Sequence, residues 1–252
     1  MDLGLSSKVA IVTGAGTGIG FAVAEALAEE GVRVVMVGRR EAVLKKASEQ
    51  IAATGAPEPL IIPADLTEDN GGKLVAAEAI RLAGQVDILV NSAGVSQPVG
   101  IGGSEDRWQH AYALRVIATR HLAEELLPAM RERKFGRIIN IGGSWEVQPV
   151  INTASVMNAA RTVYHKSLSH VVAADGVTVN TVGPGIIESE QIGKIFPTDK
   201  EREAAIDQLI PAGYFGAARD LAVLGAFLAS PVARYITGEV IAVDGGMHRF
   251  AF

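Results

Sequence analysis

Gly14, Gly18 and Gly20 stand in the stretch Thr13-Gly14-Ala15-Gly16-Thr17-Gly18-Ile19-Gly20. Small residues at this spacing let a backbone turn tightly and approach a diphosphate, while the N–H groups opening the next helix point at the anion. Glycines also mark ordinary turns. The context separates the two readings. An apolar run, Val9–Val12, leads in, a helical pattern, Ile19–Glu29, leads out, and a second apolar run, Val32–Val37, follows closely. The chemistry expected of Gly14, Thr17, Gly18, Ile19 and Gly20 is dinucleotide binding.

Gly38-Arg39-Arg40 follows the second run. A site that reads the ribose hydroxyls of NAD places an acid here, and one that reads the 2′-phosphate of NADP places a basic side chain. Gly38 removes the acid and Arg39 supplies the charge. The plainer reading is a solvated arginine pair, yet two arginines ahead of a helix N-terminus are poorly placed for its dipole. Thr17 leaves the Gly-rich turn without a basic residue, so Arg39 and Arg40 would carry the phosphate alone. NADP(H) is therefore expected over NAD(H). Asp65, followed by Leu66, has two readings: an acceptor for the adenine amino group, or a turn or cap residue. Asn91-Ser92-Ala93-Gly94 puts small residues at a strand's C-terminal end, where open α/β sheets take ligands. Asn91, Ala93 and Gly94 join the cofactor candidates.

The elements that must position these residues alternate along the chain. Strands are expected at Val9–Thr13, Val32–Val37, Leu60–Pro63, Ile88–Asn91, Arg137–Ile141, Val177–Val182 and Val240–Val243. Helical patterns lie between them, among them Glu41–Thr54, Asn70–Ala83, Arg107–Glu132 and Thr153–Ala173. That alternation implies an α/β fold: a Rossmann-type, doubly wound parallel sheet of about seven strands with helices on both faces. No linker, repeat or composition shift divides the chain.

Composition narrows the function classes. With 252 residues the chain is long enough for one full α/β core. A net charge of −5 argues against a nucleic-acid surface. Without cysteine there is no thiolate nucleophile or thiolate zinc site, and the 5 histidines show no metal-ligand spacing, so no metal is expected. No apolar run reaches the ~18 residues of a membrane span. A soluble cytoplasmic protein with a small-molecule ligand is the expectation.

From end to end the chain resembles the short-chain dehydrogenase/reductases. The resemblance rests on Thr13–Gly20, Asp65-Leu66, Asn91–Gly94, Asn140-Ile141, Val179-Asn180, Pro184-Gly185, and the tail from Ile236-Thr237-Gly238 to Val243-Asp244-Gly245-Gly246. It implies a single domain over 1–252, a mobile substrate loop at about 185–213, and a homotetramer or homodimer. It implies cofactor contacts from Ile141, Pro184, Gly185 and Ile187. It implies hydride transfer between a nicotinamide and a carbonyl or alcohol carbon, with the proton supplied by a tyrosine whose pKa is lowered by a lysine four residues later.

The sequence departs from that pattern at the proton-transfer group. The tyrosine position falls on Ala154, the lysine position on Asn158, and the position of the asparagine that the resemblance also implies, on the preceding long helix, on Arg115. Gly142 and Gly143 stand where serines often follow Asn140-Ile141, with Ser144 next. No tyrosine in the chain is followed four residues later by lysine. Asn158 can hold a ribose hydroxyl but carries no charge to depress a neighbour's pKa. General acid help is worth ~10²–10⁴ in rate, so a substitute is needed. Ser144 would bind a substrate oxygen or simply end a strand. Arg115 would stabilise an oxyanion or bind a carboxylate, or form a buried ion pair. Tyr112, three residues before Arg115, would share its helix face or merely pack. Glu146 and Trp145 follow Ser144, and Glu188 and Glu190 lie in the substrate loop. Three functions suit an intact cofactor frame beside an altered catalytic helix: an NADP(H)-dependent oxidoreductase, a cofactor-binding protein without dehydrogenase activity, and a non-redox lyase or hydrolase.

Overall fold

The computed structural model describes residues 2–94, 98–142 and 150–249. Its strands are β1 (Val9–Thr13), β2 (Arg33–Gly38), β3 (Leu60–Pro63), β4 (Ile88–Asn91), β5 (Gly136–Ile141), β6 (Val177–Pro184) and β7 (Val240–Val243). They form one sheet in the order β3-β2-β1-β4-β5-β6-β7, and every pairing is parallel. The expected strands are all present, with small shifts: β2 starts and ends one residue later, β5 starts one residue earlier, and β6 runs on to Pro184. The chain steps outward from β1 to β3, then returns to place β4 on the other side of β1. That reversal opens a crevice at the carboxyl ends of β1 and β4, the usual ligand position in such sheets.

Continuous apolar strands fit a sheet covered on both faces. β1 and β4 are buried along their whole length. On one face α1 (Gly18–Glu29) packs against α9 (Ala218–Ala229), beside α2 (Glu41–Ala52). Leu27, Met36, Ile51, Leu221 and Leu228 fill that layer. On the other face α3 (Gly71–Ala83) packs against α5 (Ala118–Glu132), around Val75, Leu89, Leu122 and Leu126. α6 (Thr153–Val172) lies against β6, and α7 (Glu190–Ile195) and α8 (Asp199–Leu209) sit between β6 and α9 in sequence. Among the described residues no helix is long and apolar enough to cross a membrane.

The helix expected at Arg107–Glu132 starts earlier and is not uniform. α4 spans Glu105–Tyr112, Ala113–Ile117 takes a π-helical turn, and α5 follows. The wider turn leaves carbonyls without the ordinary partner. Thr119 Oγ1 donates to Arg115 O at 2.8 Å and lies 3.2 Å from Val116 O. Such π turns often mark functional positions, and Arg115 sits inside this one.

Candidate active site

The crevice is a single open cleft of about 1700 Å³. Its floor is the Gly-rich turn. Gly14 and Gly18 have φ of +67° and +59°, where a side chain would be strained. A Cβ on Gly20 would stand 2.3 Å from Gly14 O, so only glycine lets α1 start this close to β1. Thr13 fastens the floor to β4: its Oγ1 accepts from Ser92 N at 3.0 Å and Ala93 N at 3.1 Å.

Every cofactor candidate named from the sequence lines this cleft except Asn91. Gly14, Thr17, Gly18, Ile19 and Gly20 form one end, with Arg39, Arg40, Asp65 and Leu66 around it. Ala93, Gly94, Ile141, Pro184, Gly185 and Ile187 continue the wall. Arg39 and Arg40 are exposed at the end of β2. Asn91 is instead a pin inside the sheet. It is fully buried and donates from Nδ2 to Asn140 Oδ1 at 2.9 Å, its direct partner across the β4–β5 ladder.

Asp65 forms the turn that was one of its two readings. Its Oδ1 accepts from Thr67 N at 2.9 Å and Thr67 Oγ1 at 2.7 Å. Burial pushes its carboxyl up, but the Thr67 hydrogen bonds and the nearby Arg39 and His110 hold it below the usual value on balance. An ionised Asp65 therefore faces the cleft beside Arg39.

The other end of the cleft carries the altered catalytic positions. Ala154, Asn158 and Arg115 line it together. Ala154 and Asn158 are one turn apart on α6, and Arg115 reaches them from the π turn. Arg115 Nη1 donates to Asn158 Oδ1 at 3.0 Å. The structure does not bring Tyr112 into this group. It is 44% exposed and outside the cleft, because the π turn that follows it breaks the three-residue spacing that would share Arg115's face. Gly143, Ser144, Trp145 and Glu146 lie outside the described residues. Glu188 and Glu190 line the cleft but are paired with Arg202 and Lys194.

Two features escaped the sequence reading. Arg161, three residues beyond Asn158 on α6, is only 1% exposed. Its Nη2 donates to Ile141 O at 2.7 Å and to Asn158 Oδ1 at 3.1 Å, so one amide oxygen serves two guanidinium groups. Burial brings Arg115 down to about 10 and Arg161 down to about 9, the latter helped by the charge of Arg115. Both stay charged at neutral pH. The available signal was a polar row, Asn158, Arg161, His165 and Ser169, at helical spacing on a buried face. The second feature is Asp244, whose Oδ2 lies 2.7 Å from His248 Nδ1, both on the cleft wall.

Known proteins match this chain over nearly its whole length. A family model described as Enoyl-(Acyl carrier protein) reductase matches residues 14–248. The 3-oxoacyl-[acyl-carrier-protein] reductase FabG of Vibrio cholerae is 36% identical over 249 residues, covering 98% of this chain and 99% of that protein. Galactitol 2-dehydrogenase (L-tagatose-forming) of Cereibacter sphaeroides is 34% identical, covering 96% of this chain and 95% of that one. L-sorbose reductase of Gluconobacter frateurii, solved with NADPH and L-sorbose, superposes with a TM-score of 0.92 at 32% identity, over 99% of this chain and 100% of that one.

Proposed function

The chain belongs to the short-chain dehydrogenase/reductase family, and we propose that it is an NADP(H)-dependent oxidoreductase of a small carbonyl or alcohol substrate whose proton-transfer group is altered. The observation that carries this reading is the cleft itself. One wall joins the Gly-rich turn, Arg39 and Arg40 to Arg115, Asn158 and Ala154. The residues suit a phosphorylated dinucleotide: a Cβ on Gly14 or Gly20 would close the turn, and Arg39 and Arg40 bring positive charge to the same cleft.

Gly14, Thr17, Gly18, Ile19 and Gly20 would hold the diphosphate, with Arg39 and Arg40 on the 2′-phosphate. NADPH, when bound, supplies a hydride. This chain's own residues must manage the charge that follows. Ala154 has no proton to give. Arg115 offers a fixed positive charge in a buried setting, where negative charge growing on a carbonyl oxygen is stabilised far more than in water. Asn158 orients that guanidinium through its 3.0 Å hydrogen bond. The alkoxide then takes its proton from solvent in the open cleft.

In the same reading the chain is one domain over 1–252, and residues 185–213, which carry α7 and α8, act as the substrate loop. Exposed Val156, Val163 and Val171 along α6 support self-association, which we assign to a homotetramer in the cytoplasm. Light scattering tests the assembly, and a monomer at micromolar concentration excludes it.

The experiment for the activity pairs two measurements. Titration calorimetry measures NADPH and NADH binding, and absorbance of the reduced cofactor follows turnover on a panel of ketones and alcohols. Tight NADPH binding with turnover of some panel member is expected. Binding without any turnover favours the second reading, a cofactor-binding or non-redox protein. That reading draws on the absence of a tyrosine among the described residues of the cleft.

A further inference from the structure

Asp65 and His110 come to the cleft from distant parts of the chain. Asp65 follows β3, and His110 lies in the last turn of α4. Two hydrogen bonds from Thr67 fix the Asp65 carboxylate, and both fall on Oδ1. The second oxygen is the one offered to a ligand. His110 is near enough for its charge to act on this carboxylate.

A histidine on a surface helix ordinarily points to water. His110 is instead half-buried and stands on the cleft wall. The wall around it is apolar. Leu66 is buried, and Ala93 and Leu114 pack against the same layer of the core while lining the cleft. The slot so formed has apolar sides, a fixed acceptor in Asp65 and a ring nitrogen in His110 that can donate. Binding slots of this make-up take a largely apolar group and read it with a few placed polar atoms.

We infer that His110 is a cofactor-binding residue, donating from its imidazole to N1 of the adenine ring while Asp65 accepts from the 6-amino group. The inference rests on the NADP(H) reading and deepens it by adding a second residue that reads the base. In that reading the Gly-rich turn takes the diphosphate, and Arg39 and Arg40 take the 2′-phosphate. The ribose side of the nucleoside is then committed. The edge left to be read is the one furthest from the ribose bond, which carries the 6-amino group and N1. The amino group donates and N1 accepts, so that edge calls for an acceptor beside a donor. Asp65 can only accept when ionised, and imidazole has an N–H to give in either protonation state.

The test reads binding, without turnover. NADP⁺ and its 1,N6-etheno derivative, in which N1 and the 6-amino nitrogen are bridged, are titrated calorimetrically into wild type, His110→Leu and His110→Gln. Leucine keeps the bulk and removes the donor, and glutamine returns a donor. His110→Leu should weaken NADP⁺ binding by about ten-fold, the loss of one buried hydrogen bond, and leave the etheno derivative unchanged. His110→Gln should recover most of the NADP⁺ affinity.

Unchanged NADP⁺ affinity in His110→Leu overturns the inference. An equal loss for both ligands also overturns it, because His110 then shapes the slot without reading the base. A glutamine variant as weak as the leucine one overturns the donor role. The broader reading fails separately: NADP⁺ can bind with the expected dependence on His110 while no panel substrate is turned over.

Discussion

Gly94 lies against the face of the Arg115 guanidinium. A Cβ on Gly94 would stand 2.5 Å from Nη2, 2.7 Å from Cζ and 2.8 Å from Nη1. The absence of a side chain at the end of the β4 segment is thus what admits an arginine from the π turn. Gly94→Ala is expected to push Arg115 off Asn158 and to cost about 1–3 kcal/mol, the usual penalty of overpacking. In an Arg115→Ala background the same change should cost far less. Urea unfolding of the four proteins measures the coupling. Equal costs in both backgrounds would mean that Arg115 does not rest there.

Cofactor choice should turn on Arg39. It is exposed at the end of β2, beside Asp65, on the cleft wall. A charge-assisted phosphate contact favours NADPH over NADH by about ten-fold or more. Arg39→Ala should lose most of that preference while leaving NADH affinity nearly unchanged. Calorimetric titration of both cofactors decides it, and equal affinities in wild type remove the assignment.

Much of this site was legible in the sequence because backbone chemistry wrote it there. Gly14, Gly18 and Gly20 are needed for positive φ or close approach, and such needs restrict residue type at fixed spacing. The sheet was legible because parallel strands are apolar throughout, as in Val9–Thr13. Asn91 was misplaced because a small polar residue at a strand end reads alike whether it faces a ligand or a neighbouring strand. Only the register, which sets it opposite Asn140, separates the two. Tyr112 was misplaced because α-helical spacing does not survive a π turn. Arg161 was overlooked because its partners, Ile141 O and Asn158, come together only when α6 docks on the end of β5.

His165 should make the fold acid-sensitive. It is 2% exposed, and burial, with the nearby Arg161 charge, holds its pKa down to about 3 from an ordinary 6.5. The folded state therefore keeps His165 neutral while the unfolded state takes up a proton below pH 6.5. Stability is complete above that pH and falls as pH drops from about 6.5 towards 3, by about 1.4 kcal/mol per pH unit from this residue. His165→Leu should flatten that part of the profile. Denaturant midpoints at pH 7, 6 and 5 compare the two, and parallel profiles would contradict the assignment.

Restoring the family's tyrosine and lysine is not a matter of two substitutions. Ala154→Tyr and Asn158→Lys put the usual pair on one face of α6, but Asn158 is the hydrogen-bond acceptor of both Arg115 and Arg161. A lysine there removes the acceptor and adds a third buried cation. The double variant is expected to lose about 3–5 kcal/mol, the cost of uncompensated buried charge. Adding Arg115→Asn removes one cation and returns a neutral side chain beside Gly94, so the triple variant should regain much of the loss. With the cations thinned, the lysine can lower the phenol's pKa and the phenol can deliver a proton. NADPH-dependent reduction of neutral ketones should therefore rise in the triple variant above both wild type and the double variant. Denaturant unfolding and ketone turnover are read on all three proteins. A double variant as stable as wild type would show that Arg115, Asn158 and Arg161 are not coupled, and the charge argument for the site would fail with it.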